Sequence, residues 1–197
     1  MPNWCNNTLE LTHEDPAMIE RASAAMKRGE FLHEFIPVPK DLSEATANFT
    51  TNEALVAKYG YSSWYDFCIA NWGTKWDVGG DDYGTPTITE DGKMIAGFDS
   101  AWAPPTTAME RLVEMGFGVK LYYYEPGMAF AGVWEDGIDS YYEYGDMSAA
   151  EVAECLPTEL DEMFCISESM AEWEAENAED EENIDIDLDG GLSATNE

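Results

Sequence analysis

The chain has 197 residues, 41 acidic and 9 basic, for a formal net charge of −32. That charge excludes a protein that grips nucleic acid by neutralising phosphates, and it opposes docking on an anionic membrane surface. Aromatic residues make up 13%, so there is material for a packed core, and composition excludes wholesale disorder. Residues 7–12 alternate apolar and polar side chains and predict a strand. Asp15 as N-cap and Pro16 as first helical residue predict a helix, with Gly29 as its stop. Met18, Ile19, Ala22, Ala25 and Met26 form its apolar face. Residues 31–39 are apolar but hold two prolines and predict an irregular packed segment. Residues 52–59 and 63–72 read as two short helices, the second capped by Ser62 or Ser63.

Residues 79–82 read as a loop. Residues 85–89 and 93–98 form a hairpin around the Glu90-Asp91-Gly92 turn. Residues 107–115 predict a helix stopped by Gly116. Strands follow at 119–124, 128–135 and 137–144. Alternation places Tyr123 on the face opposite Tyr122 and Tyr124. Hairpins dominate, so the fold class is α+β, with helices on one face of an antiparallel sheet. A helix over 147–156, capped by Asp146 or Ser148, opens the C-terminal region. Beyond it, Met163, Ile166, Met170 and Trp173 give one apolar stripe at helical spacing, which must dock on the body for the helix to hold. Glu168, Glu172, Glu176 and Asp180 form the opposite row, each four residues from the next.

Charge divides the chain. All nine basic residues lie at or before Lys120, and residues 121–197 hold 23 acidic and no basic residues. A chain needing only solubility would intersperse both signs. Self-repulsion of one sign destabilises a compact state, so a use for it is expected. The expected organisation is a domain over 1–145 with an insert at about 30–80, an acidic helical extension over 146–176 and an acidic tail over 177–197. The tail lacks aromatics and is expected to be disordered or ordered only against a partner.

Five segments together carry a resemblance: MPNWCNN at 1–7, FIPVP at 35–39, NWGTKWD at 71–77, AWAPP at 101–105 and YEPGMAFAG at 124–132. The chain resembles the Api92-like (YubB-type) proteins of bacteriophages and conjugative plasmids. That resemblance implies a ferredoxin-like domain over roughly the first 145 residues and an accessory role in a phage or plasmid. It carries over no catalytic residue. The long acidic C-terminus departs from the shorter family pattern.

Within NWGTKWD, Trp72 and Trp76 are four apart and can share a helical face, while Lys75 and Asp77 can pair locally. Asn71, Lys75, Asp77 and Glu125 are candidates to line a polar pocket beside Trp102. Catalytic signals are absent. The histidines His13 and His33 belong to no nucleophile or zinc-protease motif, and no phosphate loop occurs. Cys5, Cys68, Cys155 and Cys165 form no C-x-x-C pair and are expected to be reduced and mostly buried. Asp185, Asp187 and Asp189 begin like a calcium loop, but the twelfth position is Asn196, not Glu. No metal, cofactor or enzymatic activity is expected.

The expected function is nucleic-acid mimicry: carboxylates occupying the basic groove of a host DNA- or RNA-handling defence enzyme. The expected contact surface is Glu151, Glu154, Glu159, Asp161, Glu162, Glu168, Glu172, Glu176 and Asp180. Glu135, Asp136, Asp139 and Glu143 are expected to extend it. The alternative is an interaction module that binds through the Trp/Pro-rich body, with acidity serving solubility. Direct nucleic-acid and membrane binding are not expected. The N-terminus lacks the basic and apolar regions of a signal peptide, so the expected location is the cytoplasm of a bacterial host cell. Nothing in the sequence indicates an oligomeric state.

Overall fold

The computed structural model describes the backbone of residues 3–45, 52–80 and 84–189, and side chains up to residue 178. The chain divides into two units, Met1–Glu143 and Tyr144–Glu197.

The first unit opens with β1 (Trp4–Thr12), whose alternate residues Cys5, Asn7, Leu9 and Leu11 are buried. It starts before the predicted position because Trp4, Cys5 and Asn6 pair with Ala101, Ser100 and Asp99. Helix α1 (Pro16–Arg28) has the predicted ends: the Asp15 carboxylate accepts the Ala17 N–H, and Gly29 closes it at φ 70°. Its buried row is Ile19, Ala22, Ser23, Ala25 and Met26, with Met18 only half-buried.

The insert holds α2 (Phe31–Phe35), α3 (Lys40–Ser43), α4 (Glu53–Tyr59) and α5 (Trp64–Trp72). Asn52 and Ser63 cap the last two. Helix α2 corrects the expectation of an irregular segment. Its N-terminal N–H groups, on Leu32 and His33, donate to the carboxylate of Asp77 at 2.7 and 3.0 Å. A cap 44 residues downstream of His33 leaves no local sequence signal.

The edge strand β2 (Thr87–Ile88) is shorter than expected and pairs with β3 (Met94–Ala101). Part of the expected loop before it, Asp81 and Asp82, lies outside the described residues. Helix α6 (Thr106–Glu114) leads to β4 (Gly118–Glu125), β5 (Phe130–Glu135) and β6 (Ile138–Glu143). The sheet order is β2-β3-β1-β4-β5-β6, with every neighbouring pair antiparallel. The β1-α1-β2-β3-α6-β4 succession, with β1 between β3 and β4, is the ferredoxin-like arrangement. The β5–β6 hairpin widens the sheet beyond β4. Helices α1 and α6 cover one face. Ile19, Met26, Ala108, Met109 and Leu112 join Leu9, Phe98, Leu121 and Tyr123 in one core. Tyr123 and Tyr122 lie on opposite faces as alternation predicts; Tyr123 belongs to that core, and Tyr122 is buried outside it.

The second unit contains α7 (Ala149–Cys155), α8 (Thr158–Phe164) and α9 (Ile166–Asp189). Ser148 caps α7 in a reciprocal box with Glu151. Val152, Leu160 and Ile166 are buried, and Glu174 of α9 accepts the Ala149 N–H at 2.8 Å. The predicted apolar stripe is broken. Cys165 sits at φ 51° and ends α8, leaving Met163 on a different helix from Ile166 and Met170. Asp161 enforces the break by accepting the N–H and hydroxyl of Ser167 at the start of α9. Trp173 is 66% exposed. The backbone of α9 continues past Asn177, and residues 190–197 lie outside the described residues. Among the described residues no helix is long and apolar enough to cross a membrane.

Candidate functional site

The second unit holds 18 acidic and no basic residues, so none of its carboxylates has a cation within the unit. Glu168, Glu172 and Glu176 are exposed on one row of α9, about 6 Å apart along the axis. Glu154, Glu159 and Glu162 are exposed as well. Two of the predicted contact residues have structural tasks: Glu151 completes the α7 cap and Asp161 joins α8 to α9. Asp180 lies on α9, and its side chain is outside the described residues, as are those of the calcium-loop-like residues Asp185, Asp187 and Asp189.

The expected secondary patch is divided by the pleat. Asp139 and Glu143 flank Tyr141 on the face of β6 that follows the Tyr123 and Trp134 side of the sheet. Glu135 lies on the opposite face, in register with Lys120, which is in turn in register with Glu10; Glu10 pairs with Lys93 at 2.9 Å. That face therefore alternates charge across three strands and on to Lys93, just ahead of β3. Asp136 turns the β5–β6 hairpin at φ 44° and accepts the Val119 N–H at 2.9 Å.

The five candidate pocket residues do not converge. Asn71 donates to the Phe67 carbonyl at the end of α5. Glu125 is buried at 1% exposure, and its carboxylate accepts the N–H groups of Gly127 and Met128 in the β4–β5 turn. Lys75 and Asp77 share a cavity of about 280 Å³ with Trp64, Trp72 and Trp76, but they do not pair. Asp77 accepts the N–H groups of Leu32, His33 and Val78. Burial pushes its carboxyl up, against the pull of those donors. The Lys75 ammonium lies 4.3 Å from the Trp76 ring centroid and 6.0 Å from that of Tyr65. Helix α5 stops at Trp72, whose indole N–H donates to the Ile36 carbonyl, and Trp76 stacks at 5.8 Å on Trp4 instead.

Trp102 lines a second, larger cavity of about 440 Å³. Its other walls include Pro104, Tyr123, Phe130, Asp139 and Tyr141. The Tyr123 hydroxyl donates to Asp139 at 2.7 Å. Burial, then the Asp139 carboxylate, keep the phenol protonated well beyond its ordinary range. Sequence reading flagged Trp102 but missed Phe130, Tyr141 and the role of Asp139. The signal was present: residues two apart on β6 fall on the face that Gly132 leaves open.

The thiols supply no nucleophile signal in the core. Burial pushes Cys5 and Cys68 up to about 12. Cys155 and Cys165 are exposed, contrary to the expected burial. All four cysteines are free. Among the described residues no group of three His, Cys, Asp or Glu side chains is placed to hold a metal ion.

No family model matches the chain. No curated protein matches it either. Among solved structures it is similar to the crystal structure of a protein api92 from Yersinia pseudotuberculosis, at 12% identity and a TM-score of 0.40. The likeness covers 74% of this chain and 99% of that one.

Proposed function

We propose that the chain is an acidic nucleic-acid mimic, which occupies the basic groove of a host DNA- or RNA-handling defence enzyme. One observation carries this reading: exposed Glu168, Glu172 and Glu176 line one row of a helix in a unit that contains no cation. Basic grooves are built to meet duplex DNA, which presents one charge per ~1.7 Å of axis. An unpaired acidic row competes for the same Lys and Arg side chains and steers the encounter over long range. A phage or plasmid accessory role, by membership of the Api92-like family, belongs to the same proposal and is supported by the five sequence segments. The test is inhibition of a candidate nuclease across a salt series. Glu168→Gln, Glu172→Gln and Glu176→Gln together should abolish inhibition with α-helical circular dichroism unchanged. Full inhibition by that variant would end the reading.

A second reading has its own observation. Trp4, Trp76 and Trp102 of the first unit are 42%, 39% and 55% exposed, an aromatic surface suited to a protein partner. A chain cut after Glu143 would then keep partner binding, whereas mimicry predicts its loss.

A further inference from the structure

We infer that the cavity beneath Trp102 is a receptor for one arginine side chain, whose guanidinium stacks on the aromatic walls and pairs with Asp139. The inference rests on the reading of a basic protein partner. It adds a specific anchor in the first unit to the diffuse field of the second.

Three observations converge. The cavity joins one carboxylate to four aromatic rings: Trp102, Tyr123, Phe130 and Tyr141. Phe130 lies 6.2 Å from Tyr123 and 5.5 Å from Tyr141, centroid to centroid, so these three rings form a continuous wall. Next, Asp139 is held but not saturated. Its Oδ1 accepts the Tyr123 hydroxyl at 2.7 Å, and its Oδ2 takes no hydrogen bond from a described residue. The hydroxyl's hydrogen bond orients the carboxylate. Finally, Trp102 sits at φ 74°, a left-handed conformation that a bulky residue rarely adopts, fixed by its N–H to the Asn3 carbonyl at 3.0 Å. That turn leaves the indole 55% exposed at the cavity instead of packed in the core.

The chemistry selects the occupant. Aromatic faces attract cations, and a carboxylate among them excludes anions. A cavity of about 440 Å³ is roomy for a compact ammonium and takes the length of an arginine side chain. A planar guanidinium stacks on rings while forking hydrogen bonds to a carboxylate, which an ammonium cannot do.

The test is calorimetric titration of the full chain with acetyl-Gly-Arg-Gly-amide, against the same peptide with lysine. A salt concentration of about 0.5 M screens the acidic unit, because the Debye length there is only a few ångströms. Saturable arginine-peptide binding is expected, about fivefold or more tighter than the lysine peptide. Asp139→Asn, which retains an acceptor for Tyr123, should weaken it about tenfold. Trp102→Ala, at an exposed position, should do the same. The triple α9 glutamine variant should bind the peptide like the wild type, which separates this site from the mimic surface. No saturation by about 10 mM peptide, equal affinity for the two peptides, or unchanged binding by both cavity variants would overturn the assignment. Peptide binding that survives while nuclease inhibition fails would leave the arginine site standing and remove the mimic reading.

Discussion

The phenol of Tyr123 reaches the carboxylate of Asp139, two strands away, by crossing the bare Cα of Gly132 on the strand between them. The glycine is a condition of the bond. A Cβ at residue 132 would stand 2.2 Å from the Tyr123 hydroxyl and 2.7 Å from the Ser140 carbonyl. One wall of the arginine cavity thus depends on a residue that contributes no side chain.

Gly132→Ala should therefore destabilise the first unit by about 1–3 kcal/mol, the usual range for overpacking. Tyr123→Leu in the same chain should restore part of that loss, since it removes the nearest clashing atoms. A urea-unfolding double-mutant cycle reads the coupling, and strict additivity would refute the crossing.

Removing Asp77 tests the remote cap of α2. Asp77→Ala leaves the N–H groups of Leu32, His33 and Val78 without their acceptor. The expected loss is about 1–3 kcal/mol, seen in urea unfolding, with faster hydrogen exchange concentrated in residues 31–35. Exchange unchanged there would show that α2 holds without the cap.

Glu34 gives the fold a defined pH dependence. Its carboxylate accepts from Arg21 at 2.6 Å and from Arg28 at 2.9 Å. The Arg21 hydrogen bond foremost holds its carboxyl below the usual range. A value lowered by folding contributes stability that is complete above the ordinary carboxylate range and is lost as pH falls through the folded value. Glu34→Gln should thus lower the urea midpoint at pH 7, and the gap to wild type should close in strong acid. A gap that persists at all pH values would assign the effect to packing.

These predictions also mark what the sequence reveals. The α1 caps, Asp15 and Gly29, act locally, so short-range spacing shows them. The strands were legible from alternation, down to Tyr123 facing away from Tyr122 and Tyr124. Three features were hidden, some remote and some local. Asp77 caps a helix in another part of the insert. Asp161 and Cys165 break one apparent apolar stripe into two helices. Asn71 and Glu125 are taken up by local backbone partners, the Phe67 carbonyl and the Gly127 and Met128 N–H groups, whereas Trp102 is fixed by the remote Asn3 carbonyl. Conversely, the acidic row of α9 was legible because an i, i+4 pattern needs only the helix to be correct.

That row makes a stability prediction of its own. Glu168, Glu172 and Glu176 form two like-charge i, i+4 pairs, each destabilising a helix by about 0.2–0.5 kcal/mol. The triple glutamine variant should melt higher than wild type at low salt, with the gap shrinking as salt screens the charges. A lower melting temperature would mean that the acids hold structural contacts.

The most direct measurement of the central claim is affinity capture from bacterial lysate, with the wild type and the triple glutamine variant as parallel baits. Retained proteins are eluted by a salt gradient or by duplex DNA and identified by mass spectrometry. Mimicry predicts nucleic-acid-handling proteins that both eluents release and that the variant fails to retain. Partners that resist salt and DNA and bind both baits equally would contradict it.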